Sequence, residues 1–333
     1  MKALVFTAPN EMTYGDAPEP VRRNDDWVTV AVSACGICGS DMHAYHGHDL
    51  VRRPPPLILG HEGAGTIIDG PNRGARVAIN PLIACGVCRA CEDGREHVCQ
   101  HRILVSMKQA PGAFAEQVTV PAKNAVVIPD HLPFEIAALT EPMAVAYHAV
   151  GLGVRASARP LSALRVAVIG GGAIGLCTAQ VLESRGVVDI MVSEPSPIRR
   201  DAIRKAARFN AYDPAGGDAP ADGSYDLVFD AYGNGRSRAE ACRLAASGGA
   251  IVHIGLAGGD DGIDVRKLTL QEIAFVGSYC YTMVDFRETL DGLARGQFGA
   301  FDWLEERPLS AGAHAFQALD AGTVEAAKIV LRM

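Results

Sequence analysis

The segment Gly170-Gly-Gly-Ala-Ile-Gly175 constrains the fold of this chain more than any other. It follows the apolar run Leu164-Arg-Val-Ala-Val-Ile169 and opens a helix-like stretch from Ala173 to Ser184. Glycines in this rhythm suit a buried strand that turns sharply into a helix. Gly170 allows the tight turn, Gly172 lets the backbone approach a pyrophosphate, and Gly175 lets the helix pack close to the sheet. The pattern repeats downstream without the glycines. Val188-Asp-Ile-Met-Val-Ser193 predicts a second strand, and Pro197 to Arg208 a helix with proline at its start and basic residues through its last turns. Tyr225-Asp-Leu-Val-Phe-Asp230 predicts a third strand and Ala250-Ile-Val-His-Ile254 a fourth. Strands alternating with helices predict an α/β architecture with a doubly wound parallel sheet.

In such a sheet the phosphates of a dinucleotide sit at the helix N-terminus, against the turn that Gly172, Ala173 and Ile174 form. Glu194 directly follows the second strand. A carboxylate there accepts hydrogen bonds from the adenosine ribose and repels a 2′-phosphate, which favours NAD over NADP. Arg199 and Arg200 follow closely and could receive a phosphate, so NADP stays open.

A chain of 333 residues exceeds the size at which one core keeps growing, so two domains are expected. The first part, to about residue 140, reads as an irregular β domain. Short β-like runs such as Trp27–Ser33 and Ala64–Ile68 are punctuated by Pro54-Pro55-Pro56 and Pro71-Asn72. After about Gly277 the alternation weakens, and Phe286 to Met333 predicts a helix, a loop and another helix or strand. The net charge of -7 opposes a nucleic-acid partner. The N-terminal apolar run is too short for a signal peptide. Val166 to Ala179, although almost uncharged, is too short and too glycine-rich to span a membrane. The expected setting is the cytoplasm, without nucleic-acid or membrane partners.

Nine cysteines are present, an odd number, and four lie close together as Cys85-Gly-Val-Cys88-Arg-Ala-Cys91 and Cys99. Clustering of this kind points to metal in a reducing compartment rather than to disulfides. Four thiolates from one loop suit a closed, tetrahedral structural zinc site. An iron–sulfur cluster fits less well, because the last interval differs from the bacterial run and no proline ends it. A second set is dispersed. Cys38 lies in Gly36-Ile-Cys-Gly-Ser-Asp-Met-His43, His61 and Glu62 in Gly60-His-Glu-Gly63, and Glu141 in Thr140-Glu-Pro-Met143. A catalytic zinc needs about three protein ligands and an exchangeable position. Cys38 and His61 are the natural first two, and either Glu62 or Glu141 is the third.

Over essentially its whole length the chain resembles the zinc-containing medium-chain dehydrogenase/reductase superfamily. Gly-Ile-Cys-Gly-Ser-Asp, Gly-His-Glu, the four-cysteine lobe, Glu-Pro-Met-Ala-Val-Ala-Tyr-His148 and the glycine turn occur in that family's order. The Glu-Pro motif resembles the polyol branch, which contains sorbitol, butanediol, threonine and L-idonate dehydrogenases. Ser40-Asp-Met-His-Ala-Tyr45, Val77-Ala-Ile-Asn-Pro81, Val276-Gly-Ser-Tyr279 and Ala326-Ala-Lys-Ile-Val330 look closest to the L-idonate and sugar-alcohol members. The segment between Ile68 and Arg76 is shorter than in most relatives, which trims a surface hairpin.

The resemblance implies a chaperonin-10-like β-barrel catalytic domain (residues 1–142 and 280–333) and a Rossmann dinucleotide-binding domain (residues 143–279), with the active site in the cleft between them. It implies one catalytic and one structural zinc per chain, NAD as cofactor, and a homo-oligomer, dimer or tetramer. The implied reaction oxidises a secondary alcohol of a polyol or sugar acid to a ketone. Ser40 is implied as the first proton acceptor, His43 as a later member of the relay, and Asp41 as the group that orients His61. A threonine-, butanediol- or simple-alcohol dehydrogenase of the same superfamily is the alternative. A non-catalytic zinc-binding interaction protein is a distant one.

Overall fold

The computed structural model describes residues 1–333. Six strands form a wholly parallel sheet: Arg165–Ile169, Asp189–Ser193, Asn210–Tyr212, Tyr225–Asp230, Ala245–His253 and Ala274–Gly277. Counted along the chain, their spatial order is third, second, first, fourth, fifth, sixth. This order reverses direction beside the first strand, and ligands of such sheets bind at the carboxyl ends of the strands around that point. The sheet interior is apolar on both faces, as a parallel sheet covered by helices requires. Val168, Phe229 and Val252 on one face and Ala167, Val228 and Ile251 on the other are all fully buried.

The Rossmann reading therefore stands, with two additions. The strands Asn210–Tyr212 and Ala274–Gly277 are too short to produce a readable period, and the sequence pattern passes over them. The fifth strand starts at Ala245, ahead of the expected Ala250, because its opening residues Ser247 and Gly248 are exposed and polar. The helix expected over 197–208 is α-helical over Pro197–Ala202, with Ser196 accepting the Arg199 amide as its N-cap. It widens to a π-turn over Ile203–Ala207 and stops at Arg208 in the left-handed region.

The remaining strands build an irregular barrel. Its main sheet runs Ala125–Val127, Arg76–Ile79, Glu62–Asp69, Trp27–Gly36, Lys328–Arg332 and Leu304–Pro308, and Gln117–Pro121 also pairs with Trp27–Gly36. A smaller sheet joins Glu11–Asp16, Lys2–Ala8 and Leu57–Ile58. Val30, Ile67, Ile79, Phe6, Phe114 and Phe316 fill the space between the layers. The loop between Asp69 and Arg76 is a compact turn closed by Gly74 N–H to the Ile67 carbonyl. The tail returns to the start of the chain: Val330 pairs with Gly36 and Arg332 with Ala34, antiparallel.

The helix Thr140–Ala156 joins the two sheets. It follows all but the last two barrel strands in sequence, and its buried residues Met143, Ala144, Ala146 and Val150 share one apolar core with Ala34, Ala64, Val168 and Phe229. No helix is long and apolar enough to cross a membrane.

The glycine turn shows why its residues are fixed. Gly170 has φ +99°, a conformation costly for any residue with a Cβ. A Cβ on Gly175 would stand 1.8 Å from the Gly170 carbonyl oxygen, whereas a Cβ on Gly172 would meet nothing. Gly175→Ala is expected to lower the melting temperature, with a cost of about 1–3 kcal/mol, and Gly172→Ala to leave it unchanged. Thermal scans of the two variants beside wild type check this; equal melting temperatures for all three would contradict the packing argument.

Candidate active site

The four-cysteine lobe is a short loop built around Arg89–Glu92 and Glu96–Val98. The Sγ–Sγ distances are 3.5 Å (Cys99–Cys85), 3.6 Å (Cys88–Cys91), 3.7 Å (Cys88–Cys99) and 3.9 Å (Cys85–Cys91). Tetrahedral zinc with bonds of about 2.3 Å to sulfur sets its ligands about 3.8 Å apart. The four thiols therefore fit that ion. The Val87 amide, the Cys99 thiol and the Cys88 amide hold the Cys85 thiol down at about 6, so that a thiolate is available at neutral pH. Burial and the neighbouring thiols push Cys91 up to about 11. Four thiols would fill all four positions of such a tetrahedron and leave none for a substrate.

The second group forms where the barrel's strand ends converge. Cys38 precedes the short helix Gly39–Tyr45, and Glu62 opens the strand Glu62–Asp69 with His61 just before it. Ligand atoms of Cys38, His61 and Glu62 all lie within 4.8 Å of one another. Asp41 is fully buried behind them. Its carboxylate accepts the Cys38 amide at 3.1 Å, the Gly60 amide at 3.3 Å and the Ser106 hydroxyl at 3.4 Å, and faces His61 Nδ1 at 3.5 Å. Burial works against its charge, but His61, Arg53 and the Cys38 amide outweigh burial and hold the carboxyl at about 2. With Nδ1 turned to Asp41, His61 presents Nε2 to the ligand cluster, a carboxylate–histidine arrangement that supports metal binding.

Glu62 has a partner that sequence reasoning missed. Lys328 Nζ lies 2.7 Å from both carboxylate oxygens and donates to the Ile37 carbonyl at 2.9 Å. Both side chains are buried, and their mutual attraction keeps Lys328 charged against the cost of burial. The carboxylate also needs Gly36: a Cβ there would lie 2.0 Å from Glu62 Oε2. Lys328 is distant in sequence, and only the pairing of the last strand with Trp27–Gly36 brings it in.

Glu141 is buried close by, and its Oε1 accepts the Tyr281 hydroxyl at 2.9 Å. Burial and the neighbouring Glu62 push it up to about 7, against the opposing pull of His61 and Tyr281. It does not join Cys38, His61 and Glu62 in the close cluster. Ser40 is half-buried, and its carbonyl accepts from the buried Arg53 at 2.5 Å. His43 is exposed and turns Nδ1 toward His48.

A cleft of about 900 Å³ runs from Cys38, Glu62 and Lys328 past Gly170, Gly172, Ala173, Ile174 and Gly175 to Glu194 and Arg199. One open space thus meets the dispersed metal ligands at one end and the glycine turn at the other. Glu194 is buried at the far end, its oxygens accepting the Gly171 amide at 3.0 Å and the Ser196 amide at 2.9 Å. The two arginines that follow differ. Arg200 donates to the Glu194 and Pro195 carbonyls and pairs with Asp213 at 3.2 Å, so its charge is spent on the loop. Arg199 lines the cleft.

Comparison with known proteins agrees with this layout. Residues 24–130 match the alcohol dehydrogenase GroES-like domain and residues 173–295 the zinc-binding dehydrogenase family. L-galactonate-5-dehydrogenase of Escherichia coli (strain K12) is 31% identical over 320 residues, covering 92% of this chain and 91% of that protein. The crystal structure of the short chain alcohol dehydrogenase rspB from E. coli CFT073, complexed with NADH, superposes with a TM-score of 0.88 at 26% identity, covering 100% of this chain and 99% of that one. A putative zinc-binding dehydrogenase from Sinorhizobium meliloti 1021, bound to NADP, gives a TM-score of 0.84 at 28% identity, with 100% and 99% covered. The chain belongs to the zinc-containing medium-chain dehydrogenase/reductase superfamily, on its polyol branch, and is a zinc-dependent alcohol/polyol dehydrogenase.

Proposed function

We propose that this enzyme oxidises a secondary alcohol of a polyol or sugar acid to a ketone, with NAD as hydride acceptor. The observation that carries the reading is the single cleft in which Cys38 and Glu62 face the glycine turn. Zinc held at Cys38, His61 and Glu62 would supply Lewis-acid polarisation of the substrate hydroxyl, and the bound nicotinamide would take the hydride. Cys85, Cys88, Cys91 and Cys99 would hold a second, structural zinc. Asp41 keeps the proton of His61 on Nδ1, which leaves Nε2 free to ligate. Ser40 Oγ accepts the substrate hydroxyl proton, and exposed His43 passes it to water. Glu62 is favoured over Glu141 as third ligand because it stands in the close cluster with Cys38 and His61.

Glu194 favours NAD. Its carboxylate is fixed at the ribose end of the cleft by two amides, and of the two arginines that follow it Arg200 is occupied by Asp213, so that only Arg199 lines the cleft there, against a buried negative charge. The free edge of the parallel sheet, Ala274–Gly277, with exposed Leu256, Val265 and Leu270 in the segment leading to it, suits a homodimer. The unpaired thiols suit a reducing compartment such as the cytoplasm.

An NAD-coupled screen over polyols, aldonates, diols and threonine tests the substrate class; turnover confined to threonine or simple alcohols would overturn it. Cys38→Ser is expected to lose one zinc by metal analysis and nearly all turnover while keeping its melting temperature; full turnover without that zinc would refute the assignment. For the coenzyme, kcat/KM is expected to favour NAD over NADP at least tenfold, and Glu194→Ala to narrow the ratio; a wild-type preference for NADP would sink the carboxylate argument. Lys328→Met strands a buried carboxylate, and the metal-free protein is expected to lose about 3–5 kcal/mol. Zinc loading should recover part of that loss if Glu62 is a ligand, and an equal deficit with and without zinc would favour Glu141.

A further inference from the structure

We infer that His43 and His48 form a second-tier metal site on the outer surface, a two-imidazole chelate for a late first-row divalent cation such as zinc. The helix Gly39–Tyr45 ends in a turn whose hydrogen bonds fix the geometry. The Gly47 amide donates to the Ala44 carbonyl at 2.8 Å and the His48 amide to the His43 carbonyl at 3.2 Å, with Gly47 at φ +79°. This is the Schellman arrangement, which brings the side chains three before the cap and two after it into contact. That contact is ordinarily apolar. Here both positions are histidine and both side chains are exposed, so burial does not explain the pairing.

The two Nδ1 atoms are 3.4 Å apart, with ring centroids at 4.8 Å and the planes crossed at 62°. An ordinary N–H hydrogen bond spans about 2.7–3.2 Å. Two nitrogens on a tetrahedral zinc, with bonds of about 2.0–2.1 Å, stand about 3.3–3.4 Å apart. The spacing matches the chelate better than the hydrogen bond. His46 lies in the same turn but its Nε2 is held by Asp320 at 2.7 Å, which leaves two protein ligands and open positions for water. Two imidazoles without a thiolate or carboxylate give an exchangeable site. Its preference follows the order in which copper and nickel bind nitrogen ligands more tightly than the earlier metals, with zinc also well suited.

The site has a consequence that rests on the relay proposed above. A cation on His43 Nδ1 takes that imidazole out of the proton path, so excess zinc slows turnover reversibly.

Calorimetric titration of Zn²⁺ into zinc-saturated, dialysed holoenzyme tests the site. The expected result is one further equivalent per chain at micromolar affinity, weakened at least tenfold in His48→Ala and unchanged in His46→Ala. His48→Ala keeps basal turnover and melting temperature, and its inhibition by added zinc is shifted at least tenfold. Absence of a further equivalent tighter than millimolar, equal affinity in His48→Ala, or loss in His46→Ala alone would each overturn the site. Zinc that binds through His48 without slowing turnover would leave the site standing and remove His43 from the relay.

Discussion

A buried lysine and a buried glutamate tie the last strand of this chain to its reactive centre. Lys328 and Glu62 meet at 2.7 Å with almost no solvent access. Such a pair is costly to assemble, because two ions leave water and their attraction only partly offsets the loss. The fold accepts that cost by register. Glu62 pairs with Gly36 across one strand, and Gly36 pairs with Val330 across the next, so the ion pair forms only when all three strands are aligned. A slip of one residue in either outer strand would turn its charged side chain to the opposite face. The pair thus enforces a register in which Glu62 stands within reach of Cys38 and His61.

Asp41 plays the matching role on the other side of the cluster. One carboxylate receives the amide of Cys38 and the amide preceding His61, and faces the ring of His61 at 3.5 Å. Because the same group holds both ligands, their separation is fixed by a buried anion rather than by the loops that carry them. Gly60 is part of this device: its φ of +90° aims its amide at Asp41, and a Cβ there would collide with Phe114. The Gly-His-Glu string therefore carries a backbone requirement as well as two side chains.

Much of this was legible in the sequence, for reasons that differ by region. The strand, turn and helix around Gly170 were readable because local sterics alone select them. The four-cysteine lobe was readable because its ligands come from one short loop. Lys328, Tyr281 and Arg53 were not, since each acts across more than ten residues of chain and none sits in a local pattern. Lys328 lies in a run, Ala-Ala-Lys-Ile-Val330, that looks like an ordinary strand with a solvated lysine. Only the antiparallel pairing of the tail with Trp27–Gly36 turns that lysine inward. The choice between Glu62 and Glu141 had the same limit, because both carboxylates are buried and spacing cannot tell which one a distant partner restrains.

Those restraints also explain how two carboxylates share one small volume. Glu62 and Glu141 are each buried, and the presence of Glu62 raises the cost of charging Glu141. A cation faces Glu62, and a hydroxyl donor faces Glu141. The two partners are unequal: an ammonium stabilises a full negative charge, whereas a phenol stabilises either form of the acid by one hydrogen bond. The site therefore gives two chemically similar side chains different partners: Glu62, beside Cys38 and His61, meets a buried ammonium, and Glu141, behind it, meets a phenol and is pushed up to about 7 by burial. Residues that never touch the reacting atoms set that difference.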